Sequence, residues 1–285
     1  MIFIRLVAIA AAVLALGSAP PDKITKESVT SGGQQRIYCL YVPPGAGGKP
    51  MPLLVLLHGS GRRGDSLAEP WRDLAKKQRI VLVAPDSLDA KGWRASVDGP
   101  QFLYDVTENV RKTQKIDGRR LYLFGHSAGA VFALNIGLLE SRYFAAVAVH
   151  AGAYRDPAEF SMLDAVAGKR KIPFAAWVGT IDQVFSISAA RATRDRFIAA
   201  GLPFQLTEIA WHDHNYYDSA DDINKQVWAF LNAHALDADP EFEPYDFRQV
   251  AHALRPSATA SWPASRTLCA SGARFERPGG DSCAS

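Results

Sequence analysis

Cysteine is scarce in this chain, with three in 285 residues, which excludes a small domain held together by disulfides. No Cys-x-x-Cys pair and no His/Cys cluster at ligand spacing occurs, so no zinc site, other metal or cofactor is expected. No apolar run approaches the roughly 20 residues that span a bilayer; the clearest covers 6–16, so no stable membrane insertion is expected. Charge of one sign is lacking too. Lys and Arg number 32 against 29 Asp and Glu, a net +3 with no basic stripe, so nucleic acid is not an expected partner. Internal repeats and low-complexity segments are absent. What remains is ordinary globular composition, 48% apolar and 21% charged, enough for one core of about 200 residues.

The ends differ from the middle. Arg5, the apolar run 6–16 and the small residues Gly17-Ser18-Ala19 have the layout of an export leader. Ala15 and Gly17 fit the small-x-small rule, so 1–17 are expected to be removed and the chain to be periplasmic or extracellular. Residues 18–34 read as a polar lead-in. Residues 237–285 are rich in proline and small residues without a period and read as a tail, in which Cys269 and Cys283 could pair in an oxidising compartment. Cys39 reads as a buried thiol.

Between them, 35–236 alternates short apolar runs with amphipathic stretches. Strands are expected at 37–42, 53–57, 80–84, 121–124, 145–149, 174–178 and 204–209, and helices at 67–77, 101–114, 128–139, 188–199 and 220–234. The runs at 53–57 and 80–84 are nearly all apolar, as strands covered on both faces require. The expectation is a single α/β domain, a mostly parallel sheet with helices on both faces.

Gly125-His126-Ser127-Ala128-Gly129 is a G-x-S-x-G match. Glycine and serine are common enough here for the pattern alone to be weak. Its context is stronger, because it joins an apolar strand to a helix, as a nucleophile elbow requires. Ser127 would then stand beside a helix N-terminus, whose free N–H groups suit an oxyanion. A serine hydroxyl needs a base, and the base a carboxylate to orient it. The loop after strand 174–178 supplies Asp182. The loop after 204–209 supplies two histidines, His212 and His214, of which His214 is further from the strand and freer to reach back. His126 and His150 are less well placed for this task. Oxyanion donors are expected from the backbone N–H of Ser60 (or Gly61), after the strand-ending His58-Gly59, and from that of Ala128. Trp93 and Trp211 leave the same edge of the sheet and are candidates to line a substrate cleft.

With these pieces in view, the chain resembles an α/β-hydrolase over roughly 35–236. It is similar to the secreted esterase group that includes polyhydroxybutyrate depolymerases, feruloyl esterases and LpqC-like proteins. The resemblance rests on Leu57-His58-Gly59-Ser60-Gly61, on Trp93 with Asp98 and Phe102-Leu103, on Ile116-Asp117-Gly118-Arg119-Arg120-Leu121-Tyr122, and on Gly125-His126-Ser127-Ala128-Gly129. Asp213-His214-Asn215-Tyr216-Tyr217 is similar to the histidine loop of esterase D-like enzymes, which favours His214 as the base. The resemblance implies a carboxylic-ester hydrolase with Ser127, Asp182 and His214 as its triad and a small-molecule ester as its partner. The chain departs from the depolymerases in having no cysteine near Ser60 and no recognisable substrate-binding module, which points to soluble esters rather than solid polyester. A prolyl-oligopeptidase-like peptidase would use the same three groups but usually carries an extra N-terminal domain. A non-catalytic binding protein on this scaffold would have no need of all three.

Overall fold

The computed structural model describes residues 22–45, 48–165 and 169–244, and for Asp164 and Ala165 the backbone only. The expected leader 1–17 and the cysteines Cys269 and Cys283 lie outside the described residues.

In chain order the strands are β1 (Thr25–Ser31), β2 (Gln34–Tyr41), β3 (Met51–Leu57), β4 (Val81–Pro85), β5 (Ile116–His126), β6 (Ala146–His150), β7 (Phe174–Gly179) and β8 (Phe204–Ile209). The helices are α1 (Gly64–Ala68), α2 (Arg72–Gln78), α3 (Ala95–Asp98), α4 (Pro100–Thr113), α5 (Ala128–Leu139), α6 (Pro157–Ala165), α7 (Ile187–Ala199) and α8 (Ala220–Asn232). One sheet of eight strands runs in the order β1-β2-β4-β3-β5-β6-β7-β8. β2 pairs antiparallel with β1 and β4, and all other pairings are parallel. The carboxyl ends of β3 to β8 therefore share one edge, where an open α/β sheet gathers its ligand-binding loops.

The apolar run of β3 is buried along its whole length, and its side chains alternate between two cores. Leu53, Val55 and Leu57 pack with Phe102, Val106 and Val110 of α4, with α5 and with Phe197 of α7. Leu54 and Leu56 pack on the opposite face with Leu67, Trp71 and Ala75 and with Ile223, Val227 and Leu231 of α8. Full burial of each such side chain contributes roughly 1.5–3 kcal/mol, so a charge at any of these positions would disrupt the core that it faces.

One expected element is corrected, and two segments carry structure that was not expected. The polar lead-in carries a strand that was not expected: residues 25–31 form β1, joined to β2 by a turn at Gly32 and Gly33, both with positive φ. The helix expected at 67–77 is broken into α1, a 3-10 turn at Glu69–Trp71 and α2, because Pro70 has no N–H to continue the ladder. The first described residues of the expected tail are fastened to the domain. Phe242 stacks on Tyr104 with ring centroids 4.1 Å apart, and Glu241 N–H donates to the carbonyl of Arg142. The short helices α3 and α6 were not expected.

Candidate active site

Ser127 sits between β5 and α5 with φ 56° and ψ −118°. A non-glycine residue in that region carries a strain of about 1–3 kcal/mol, so the surroundings must hold it. They do so through the main chain. Ser127 N–H donates to the carbonyl of His150 at 3.0 Å, and Ser127 C=O accepts from Ala130 and Val131. The elbow packs tightly because Gly129 has no side chain: a Cβ there would lie 2.0 Å from the Leu57 carbonyl oxygen.

The structure brings the three distant polar residues together. Ser127 Oγ lies 2.9 Å from His214 Nε2. His214 Nδ1 lies 2.9 Å from Asp182 Oδ2 and 3.2 Å from Oδ1. Asp182 Oδ1 also accepts the N–H groups of Val184 and Phe185 at 2.8 and 2.9 Å, so the carboxylate is oriented before the imidazole arrives. Its side chain is wholly buried, while that of His214 remains 28% exposed. Phe185 stacks on the His214 ring. With Nδ1–H donated to Asp182, Nε2 is left as the acceptor for the serine proton. His212, the rival on the same loop, is buried and turns its Nε2 toward His150 instead.

Gly59 brings the loop after β3 against the elbow, where a Cβ would lie 3.3 Å from Ser127 Cβ. Gly61 N–H is engaged by the Ala90 carbonyl at 2.7 Å, which removes it as an oxyanion donor. The N–H groups of Ser60 and Ala128 make no hydrogen bond among the described residues. The loop is propped from below. Trp93 Nε1–H donates to the His58 carbonyl at 2.8 Å, and the indole stacks on Phe132 of α5. Ser87 N–H donates to His58 Nε2, so the His58 ring proton sits on Nδ1 and faces the Gly59 carbonyl. Burial holds His58 below the ordinary histidine range, consistent with that neutral tautomer.

Of the two tryptophans expected to line a cleft, Trp93 is half-buried as this support. Trp211 is 84% exposed, beside the exposed Ile181 and on the loop that carries His214. Among the described residues, no group of three or more His, Cys, Asp or Glu side chains converges as a metal site would, and no helix is long and apolar enough to cross a membrane. Phe185 and Ser87 were not expected at the site, and His126 and His150 were weighed only as bases. The sequence does place each of these two histidines at the end of a strand at the site's edge, though not their contact with one another.

A parallel sheet layered by helices, with a strained serine elbow at its carboxyl edge, defines the α/β-hydrolase fold. The sequence profile of the Esterase PHB depolymerase family matches residues 36–193, more than half of the chain, and the chain belongs to that family. The match contains Ser127 and Asp182; His214 lies beyond it. "Putative esterase NocK" of Nocardia uniformis subsp. tsuyamanensis is 29% identical over 147 residues, 47% of this chain and 42% of the relative, so the chain spans under half of that protein's length. Among solved structures, a ferulic acid esterase from Anaeromyces mucronatus is similar at a TM-score of 0.57 and 18% identity, over 74% of this chain and 90% of the other. An S-formylglutathione hydrolase from Agrobacterium tumefaciens is similar at a TM-score of 0.57 and 20% identity, over 73% and 94%. At such identities these two likenesses speak for the fold.

Proposed function

We propose that the chain is a serine carboxylic-ester hydrolase acting through an acyl-enzyme. One observation carries the reading: the continuous hydrogen-bonded line Asp182–His214–Ser127, with 2.9 Å at each of its two closest contacts. Family membership supports it. Ser127 Oγ attacks the ester carbonyl while His214 Nε2 takes the hydroxyl proton. The carbonyl oxygen gathers negative charge and is received by the N–H groups of Ser60 and Ala128. Each such donor contributes roughly 10²- to 10³-fold in rate. The tetrahedral intermediate collapses, the C–O bond to the alcohol breaks, and His214 returns its proton to the leaving oxygen. Water, deprotonated by His214, then attacks the acyl-serine and releases the carboxylic acid with Ser127 restored. Asp182 stabilises the imidazolium in both halves and stays ionised.

The substrates are soluble esters of small acids. The balanced charge of the chain and the exposed position of Trp211 support a cleft open to water. The leader-like residues 1–17 support export, which N-terminal sequencing of the secreted protein tests. For the chemistry, p-nitrophenyl acetate and butyrate are offered to the protein and to Ser127→Ala. Turnover by the first and a loss of at least about 10⁴-fold in the second is expected. No turnover by either, or equal turnover by both, refutes the proposal.

A further inference from the structure

Three buried histidines stand beside this site without a part in the reaction just described. His126 ends β5, His150 ends β6, and His212 precedes His214 by two residues; their exposures are 6%, 0% and 9%. His126 and His150 are register partners across the parallel pair. His126 Nδ1 lies 3.1 Å from His150 Nδ1, and His150 Nε2 lies 3.1 Å from His212 Nε2. The His126 ring is in turn 5.3 Å from that of His214.

An N···N contact at this distance needs one N–H and one lone pair, and a neutral imidazole has one of each. His150 spends both nitrogens on its neighbours, so one donates and the other accepts. Both contacts of the row are satisfied with one proton per ring, so no ring needs a second. The surroundings favour that state. Burial first, then the His214 charge, holds His126 down to about 3, and burial keeps His150 well below the ordinary range. His126 faces His214, Tyr216 and Tyr217 and feels the charges of Asp182 and Arg62; His150 faces His126, His212 and Tyr216.

A second, independent observation concerns the backbone. Among the described residues, four non-glycine residues have positive φ: Arg79, Ser127, Ala151 and Trp211. Arg79 caps α2. Each of the other three is the chain neighbour of one histidine in the row. Main-chain bonds run alongside, from Ser127 N–H to the His150 carbonyl and from Ile181 N–H to the His212 carbonyl at 3.2 Å. Gly179 is required for the last approach, since a Cβ there would lie 1.9 Å from the His212 oxygen. The circuit Ser127–His126–His150–His212–Asp213–His214–Ser127 thus closes on itself, by peptide bonds and three side-chain hydrogen bonds. The Ser127–His214 contact is one of those three.

We propose that His126, His150 and His212 are positioning residues: a hydrogen-bonded row of imidazoles that fixes the strained Ser127 elbow against the loop carrying His214, with His150 as its central member. The proposal rests on Ser127 and His214 being the reacting pair. A shift of the elbow or the loop lengthens the Ser127–His214 contact and slows the chemical step while leaving substrate binding alone. A misplacement of about 1 Å is worth on the order of 10²-fold in rate.

Asparagine presents its amide near the position of a histidine Nδ1, and glutamine near Nε2. In the full-length protein, His150→Asn keeps the link toward His126, His150→Gln keeps the link toward His212, and His150→Phe keeps the ring volume and breaks both. With p-nitrophenyl butyrate, the Phe variant is expected to lose about 10²-fold in kcat with KM within about twofold, and Asn and Gln each to recover part of that loss. Thermal unfolding of all three is followed alongside. A folded Phe variant with kcat within twofold of the parent overturns the proposal, as do Asn and Gln variants as slow as Phe. Should the Phe variant not fold, imidazole nitrogen NMR of the unsubstituted protein decides. His126 and His150 are expected to keep one ring proton each from about pH 5 to 8, and titration of either within that range overturns the row. The NMR result does not depend on turnover. An unsubstituted protein that hydrolyses no ester refutes the Ser127 reading separately.

Discussion

Asp98 and Asp182 are both buried carboxylates in the connections that leave the carboxyl ends of parallel strands, yet they hold different kinds of partner. Asp98 is closed on all sides. Its Oδ1 takes Arg36 Nη2 at 2.6 Å and Leu88 N–H at 2.9 Å, and its Oδ2 takes Arg94 N–H at 2.9 Å. Arg36, itself 5% exposed, adds the carbonyls of Asp86 and Val97 and lies over the Phe102 ring. The pair pins the loop 86–98, and with it Trp93 under the His58 turn. Asp182 receives two backbone N–H groups and then the His214 ring, whose second nitrogen faces a hydroxyl. A permanent cation makes a clamp. An imidazole that accepts from a hydroxyl makes, on the proposed reading, a site where charge can come and go.

The strongest way to break this contrast is to exchange the two outcomes. Asp182→Asn should lower kcat for p-nitrophenyl butyrate by about 10²- to 10⁴-fold while the melting temperature stays near that of the parent. Parent-like kcat would deny Asp182 its proposed role. Asp98→Ala should do the reverse in kind, unfolding more easily by about 3–5 kcal/mol in urea because it leaves Arg36 buried without its partner. The double change Arg36→Met with Asp98→Leu should cost less than Asp98→Ala alone, since it removes both charges. A double change that costs more than the single one would mean that the clamp is worth more than its burial.

Glu140 extends the comparison to a buried carboxyl with neither kind of partner. Its Oε2 accepts Glu243 N–H, and its Oε1 has no hydrogen-bond partner among the described residues. Burial raises it to about 7. The folded protein then holds a proton that the unfolded chain releases near its ordinary 4.5, so stability falls as pH rises from about 4.5 through 7. Glu140→Gln should lack that decline, standing on the order of 2 kcal/mol above the parent at pH 8 and close to it below pH 5. Parallel curves for the two proteins would contradict it. The smallest effect is expected at Trp211, whose exposed side chain leaves little to lose on folding. Trp211→Ala should move KM by about two- to fivefold and leave unfolding unchanged, and an unchanged KM across an ester panel would remove Trp211 from the cleft.

Much of this was legible beforehand where local chemistry is self-sufficient. The β3 to β8 runs, α4, α5 and the elbow at Ser127 announce themselves through apolar run length, helical period and the glycine spacing. Asp182 and His214 could be named because each follows a strand whose end had been identified. What escaped depends on non-local geometry. β1 is mostly exposed and polar, so it lacks an apolar signal and exists through its pairing with β2. Trp93 looked like a cleft wall because nothing in its neighbourhood announces Phe132 or the His58 carbonyl. The row of His126, His150 and His212 is made by parallel register and by a loop turning back over Gly179. Positions 126, 150 and 212 have no spacing that a linear reading would recognise.

The central claim, that Ser127 is the nucleophile of an acyl-enzyme, is tested most directly by covalent trapping. The full-length protein is treated with a fluorophosphonate, and its intact mass and peptide map are recorded. One adduct per chain on Ser127 is predicted, absent from Ser127→Ala and formed far more slowly in His214→Ala. An adduct on another residue, or an unlabelled protein that still hydrolyses esters, would contradict the account.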